Sequence, residues 1–229
     1  MKDFFYQKHF DYSGKTNYKP RKRKENIEIN YLTQKETDRL FEAIEKSNNK
    51  FRLRDLTAFI IIYLCGLRAS ELKLIKLSDF NKETGDIYIR RLKGSNSNTL
   101  NLYRIPWKRN IKNLLNRYLK EYSGRGLYEI NGEDDYLFKG KNWKPLDLEA
   151  LRYLMKEYWN LAGLPKEKQH PHILKHSIAV HLAESRIDLK DLQYYLWHKN
   201  INNTTIYYQF TSKQYEELYK KLSDYNEIV

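Results

Sequence analysis

The chain has 229 residues, enough for one large domain or two small ones, and Lys plus Arg outnumber Asp plus Glu by 42 to 29. The resulting +13 favours a polyanionic partner, nucleic acid first and an anionic membrane surface second. No run is long and apolar enough to span a bilayer, and the N-terminal MKDFFYQKHFDY holds no signal segment. The chain therefore reads as cytosolic, with no membrane partner.

Residues 1–26 lack helical or strand periodicity and end in the basic run Lys19-Pro20-Arg21-Lys22-Arg23-Lys24. They read as a flexible arm, either contacting phosphate through Lys22 and Arg23 or simply solvated. The remainder, 27–229, reads as one domain. Thr33 with Glu36 three residues on, then Leu40, Phe41 and Ile44, predicts a capped amphipathic helix that ends at Asn48-Asn49. Leu53 to Leu64 is apolar on nearly every face, which predicts a helix buried at the centre, and Cys65 within this run reads as a core residue. Gly66 breaks it, and Ala69 to Lys76 reads as a further helix with Leu72 and Ile75 inward.

Asp86 to Leu92 alternates at first and is rich in β-formers. With the turn chemistry of Gly94 to Asn98 and a partner strand from Leu100 to Ile105, it predicts a hairpin. Helices are expected at Ile111–Tyr122, Leu148–Leu161, Ile173–Glu184 and Leu189–Trp197, with a short strand at Tyr136–Phe138. Ser212 to Leu222 closes the chain with an apolar stripe of Tyr215, Leu218, Tyr219 and Leu222. The fold class is mainly α with a small antiparallel β-sheet (α+β).

Four stretches can carry chemistry. In Gly66-Leu67-Arg68-Ala69-Ser70-Glu71, a glycine break brings Arg68 out beside a helix start, where it suits either a phosphate or a local pair with Glu71. The hairpin holds Arg90, Arg91 and Lys93; such cations can follow a DNA backbone, and one lysine there can protonate a leaving oxygen. His172 and His176 share a helix face, which invites zinc. The metalloprotease pattern, however, needs Glu after the first histidine, where this chain has Ile173, so no metal is expected. His172 and Lys175, three apart, instead point together toward an anion. Last come His198, the polar run Asn202-Asn203-Thr204 and the adjacent Tyr207 and Tyr208. A tyrosine is a nucleophile only where something takes its proton and cations hold its target.

Taken in order, GLRASEL at 66–72, RLKGS at 91–95, HPHILKHSIAVHLAE at 170–184 and LWHKNINNTTIYY at 196–208 resemble the tyrosine recombinase (phage integrase) family, over its catalytic domain from about Tyr31 onward. The resemblance implies a cofactor-free reaction on duplex DNA through a 3′-phosphotyrosyl intermediate. It implies Tyr207 as nucleophile, with Tyr208 as the competitor, and His172 as general base. Arg68 and His198 would hold the nonbridging oxygens, Lys93 would be the acid for the 5′-oxygen, and Glu71 and His176 would support. The C-terminal amphipathic helix reads either as a core helix of its own chain or, as the resemblance implies, as the element through which monomers assemble into a tetramer on DNA. The setting would be the cytoplasm of a bacterial or archaeal cell, or of one carrying a virus or mobile element.

Three departures from the pattern stand out. Lys175 replaces the second arginine and loses its two-donor fork, which implies a slower or conditionally active enzyme and a faster Lys175→Arg version. Trp197 replaces the glycine before His198, and the N-terminal clamp domain has no counterpart beyond residues 1–26. Two alternatives follow: a DNA-binding regulator of the same fold that has lost catalysis, and a type IB topoisomerase-like nicking and closing enzyme.

Overall fold

A computed structural model of the chain describes residues 29–92, 97–124, 134–140, 144–170, 172–208, 219–220 and 222–223. Helix α1 (Gln34–Lys46) starts at the expected box: Thr33 Oγ1 accepts the Glu36 N–H at 3.3 Å, and the Glu36 carboxylate accepts the Thr33 N–H at 2.8 Å. Thr37, Leu40, Phe41 and Ile44 form its buried stripe. Helix α2 (Arg52–Leu64) is buried from Arg54 onward and packs against α1, α3 (Ile111–Gly124) and α5 (Ile173–Glu184), so it is the central rod its composition predicts.

The sheet has two antiparallel strands, β1 (Asp86–Ile89) and β2 (Asn98–Asn101), paired from Asp86 with Asn101 to Ile89 with Asn98. It is shorter than the sequence suggests. β1 stops before Arg90, beyond which the Arg90 guanidinium bonds Asp79 and that of Arg91 bonds the Cys65 carbonyl. β2 passes into a 3-10 turn at Leu102–Arg104, capped by Asn101. Ala69–Leu74 is likewise 3-10 and not α, with Leu72 and Ile75 buried as expected. Tyr136 makes an isolated antiparallel bridge to the distant Lys76, so the short stretch predicted there pairs with the segment after the 3-10 turn.

Helices α4 (Leu148–Leu161), α5 and α6 (Leu189–Leu196) occupy the predicted spans, α6 ending one residue early at Trp197. A further helix, α7 (Asn202–Tyr208), forms where sequence indicated only a polar run. Two apolar clusters meet on α5: Ile173, Leu174 and Ile178 belong to the main core, while Ala179, Val180 and Ala183 join Leu192, Leu196 and Tyr207. With neighbours on both sides, α5 has few water-facing positions, and its polar residues Lys175 and His176 are thereby pressed into the interior. The arm (1–26) and residues 212–218 lie outside the described residues; within the terminal stripe, Tyr219 and Leu222 are exposed. Among the described residues no helix is long and apolar enough to cross a membrane.

Candidate active site

Arg68 owes its position to the end of α2. Gly66 adopts φ +54°, its N–H bonds the Tyr63 carbonyl, and the Leu67 N–H bonds the Ile62 carbonyl, which is a Schellman ending. A Cβ at Gly66 would lie 2.8 Å from Leu196 Cδ2, so position 66 requires glycine for both its backbone angle and its contact. Two residues on, Arg68 Nη1 donates to Glu71 Oε1 at 2.8 Å and to the Leu92 carbonyl at 3.0 Å. Both readings of Arg68 are therefore compatible: the pair with Glu71 fixes one nitrogen, and Nε and Nη2 make no hydrogen bond among the described residues.

Glu71 is fully buried and gathers this corner. Its carboxylate accepts the Arg68 N–H at 2.9 Å, the Leu92 N–H at 3.0 Å, and side-chain donors from Arg68 and Arg91. Burial pushes its carboxyl up, but the Leu92 and Arg68 bonds and the Arg91 charge together outweigh burial and hold it below the usual carboxylate range.

Lys175 and His176 enter from α5. Lys175 is 6% exposed and makes no hydrogen bond among the described residues. Burial, then the Arg91 and Arg68 charges, push its ammonium down to about 7, opposed by Glu71. His176 Nδ1 lies 3.1 Å from the Tyr207 hydroxyl, and burial with the nearby His170, His172 and Lys175 charges lowers it to about 4, leaving a neutral ring at pH 7. With its proton on Nε2, this imidazole accepts from the phenol.

His198 follows the end of α6, where its N–H bonds the Gln193 carbonyl and its carbonyl accepts from Gln193 Nε2. Its ring meets Thr204 Oγ1 at 3.0 Å and lies nearly parallel to Tyr207, centroids 6.4 Å apart. Burial, then Lys175, Arg68 and Arg91, lower it to about 3. Trp197 holds the left-handed conformation (φ 53°) before it, and its ring packs on Tyr194 at 4.9 Å. Its Nε1 is buried and makes no hydrogen bond among the described residues.

Tyr207 is 2% exposed; burial raises its phenol to about 12 while Arg68 pulls it down. The charge of Arg68 is thus felt at Lys175, His198 and Tyr207, three groups from three separate elements. Tyr208 points elsewhere, donating to the Ile187 carbonyl. His172 stands exposed at the N-cap of α5, outside the buried cluster yet close enough to act on His176. Lys93, Lys22 and Arg23 lie outside the described residues.

Of the two hairpin arginines proposed for DNA, Arg90 is half-exposed and paired with Asp79. Arg91 corrects the expectation. Its side chain is buried and donates to the Cys65 and Gly66 carbonyls, Glu71 and Asn98, so no face remains for a DNA strand. Sequence reasoning placed Thr204 in a polar run with Asn202 and Asn203 without pairing it to His198, and read His176 only as support. Among the described residues no group of three His, Cys, Asp or Glu is arranged to hold a metal.

A cluster in which Arg68 Nε and Nη2 and Lys175 make no hydrogen bond among the described residues, beside a buried phenol and two neutral imidazoles, has the groups needed to orient a phosphodiester and move a proton. Comparison with known proteins points the same way. Tyrosine recombinase XerA of Pyrococcus furiosus is 33% identical over 189 residues, covering 81% of this chain and 59% of the relative. Tyrosine recombinase XerH of Helicobacter pylori is 31% identical, covering 82% and 50%. The crystal structure of XerH site-specific recombinase bound to palindromic difH substrate, a post-cleavage complex, superposes with TM-score 0.67 at 30% identity, covering 82% of this chain and 52% of that one. The chain spans about three fifths of the length of the first curated relatives it matches. Residues 30–214 match the profile of the phage integrase family, and the chain belongs to that family.

Proposed function

We propose that this chain is the strand-cutting part of a site-specific recombinase that breaks and rejoins duplex DNA through Tyr207. The supporting observation is the gathering of Arg68, Lys175, His176 and His198, from three separate segments, around one phenol on a fourth. Tyr207 Oη attacks the scissile phosphorus, the bond to the 5′-oxygen breaks, and a 3′-phosphotyrosyl link with a free 5′-hydroxyl results. The reverse attack by a partner 5′-hydroxyl conserves the bond energy, so no nucleotide is consumed. Arg68 Nε and Nη2, Lys175 and His198 hold the nonbridging oxygens as charge develops. His176 holds the phenol before attack, and His172, one turn earlier on the same face, takes the proton once DNA brings it in. Lys93 protonates the 5′-oxygen. The exposed Tyr219 and Leu222 fit a C-terminal helix that docks on a neighbouring copy when monomers assemble on DNA, in the cytoplasm of the host cell.

A pool of nicked duplexes of randomised sequence tests this. Loss of the short fragment beside the nick traps the covalent product; wild type should accumulate it and Tyr207→Phe none. Binding with no adduct favours a regulator, and relaxation of supercoils without strand exchange favours a topoisomerase-like enzyme.

A further inference from the structure

One buried cation takes no part in the chemistry above. Arg91 lies two residues past the end of β1 and is directed inward, and its guanidinium reaches the far end of α2. Nη2 donates to the Cys65 carbonyl at 2.9 Å, Nη1 to the Gly66 carbonyl and to Glu71 Oε2, each at 3.2 Å, and Nε to Asn98 Oδ1 at 3.1 Å. These acceptors belong to three separate pieces of chain. Cys65 and Gly66 end α2, where carbonyls left without helical partners and the helix dipole favour a cation. Glu71 ties the 3-10 turn, and Asn98 starts β2. The turn that Arg91 grips carries Arg68 two residues later, and Glu71 is the carboxylate Arg68 itself uses.

We propose that Arg91 is a positioning residue for strand cleavage: it clamps the α2 ending and Glu71 to the strand pair, fixing Arg68 beside the α5 ammonium and the Tyr207 phenol. This rests on the recombinase reading and adds a residue to it. A guanidinium suits the task because its planar fork reaches several carbonyls at once, which an ammonium cannot. Arg91 also acts through space, since its charge is felt at Lys175 and His198. The charged and titratable groups facing Lys175 are Arg68 and Glu71 from the turn, Arg91 from the segment after β1 and His198 after α6, with His176 alongside on α5.

The test compares wild type, Arg91→Met and Arg91→Lys, each checked for native circular dichroism. On the nicked-duplex pool, Arg91→Met should bind within about threefold of wild type with an unchanged salt slope, because the buried fork meets no phosphate. Its single-turnover adduct rate should fall about 10- to 100-fold, with Arg91→Lys between the two. A binding loss that matches the rate loss, with a shallower salt slope, would place Arg91 on DNA and overturn the proposal. If Arg91→Met does not fold, Arg91→Lys decides: a fall in adduct rate of several-fold at unchanged binding supports the clamp, and an unchanged rate refutes it. A second arm uses no DNA: nitrogen-15 NMR of the lysine side chains should show the Lys175 midpoint moving up in Arg91→Met, and no movement counts against the contact. Wild type failing to form any adduct would count against the recombinase reading alone, because the NMR arm still reports on Arg91.

Discussion

Replacing Lys175 by arginine separates charge from mere presence at the site, and the structure sets the pH at which the two proteins diverge. The Lys175 ammonium is depressed to about 7 by burial and by the Arg91 and Arg68 charges. A base with a midpoint of 7 is about nine-tenths charged at pH 6 and about one-tenth charged at pH 8. Losing one transition-state donor lowers the rate about 10²–10³-fold, so the charged fraction carries nearly all of the cleavage. Under limiting duplex, where the free enzyme's ionisation governs the rate, wild-type adduct formation should fall about tenfold from pH 6 to pH 8. Lys175→Arg keeps its charge throughout, so the variant-to-wild-type ratio should climb by the same factor, while titrations common to both proteins cancel. Saturating duplex should shift the wild-type fall to higher pH, because the phosphate restores the proton. Stability should move the other way. The unfolded lysine holds its proton until about pH 10.4, so the unfolded state binds more protons across pH 7–10 and wild type gains stability as pH rises. Single-turnover cleavage on the nicked pool and urea unfolding over pH 6–9 measure both. A ratio that stays flat across pH, or equal rates at pH 8, would refute the reasoning.

Further outcomes follow from the same contacts. Gly66→Ala forces a side chain into φ +54° and against Leu196, and should destabilise the fold by about 1–3 kcal/mol in urea unfolding. Glu71→Ala leaves the Arg68 and Arg91 donors without their carboxylate; stability should drop by about 3–5 kcal/mol and adduct formation should fall steeply. His176 and His198, held neutral at about 4 and about 3, resist protonation that the unfolded chain accepts, so melting temperature should decline as pH drops below about 6.5, less so in His198→Gln. Truncation after Phe210 should leave a folded protein that cuts nicked duplex yet sediments as a monomer on DNA; assembly by the truncated form would remove the role given to the terminal helix.

Elements with strong local signals were legible in the chain. The Thr33 and Glu36 box placed α1, and the stretch Leu148 to Leu161, stopped by Gly163 and Pro165, matched α4. The α7 helix was not, because Asn202, Asn203, Thr204 and Thr205 are poor helix formers; its stability comes from burying Thr204 and Tyr207 against α5. Arg91 shows the cost of reading charge before period. Ile87 and Ile89 point inward, so the alternation carries position 91 inward too, but a guanidinium there is stable only because Glu71 and two helix-end carbonyls wait for it. No property of residues 86–92 alone reveals those acceptors. Within the site, the residue types and their order were readable, whereas the meeting of Tyr207 with His176 depends on how α7 sits on α5.

The central claim is that the phenol of Tyr207 becomes the DNA linkage, and peptide mapping of the trapped adduct tests it most directly. Proteolysis of the wild-type product followed by mass spectrometry should find the oligonucleotide, joined through its 3′-phosphate, on the peptide containing Tyr207. An oligonucleotide on Tyr208 or on another peptide, or one joined through its 5′-end, would contradict the account.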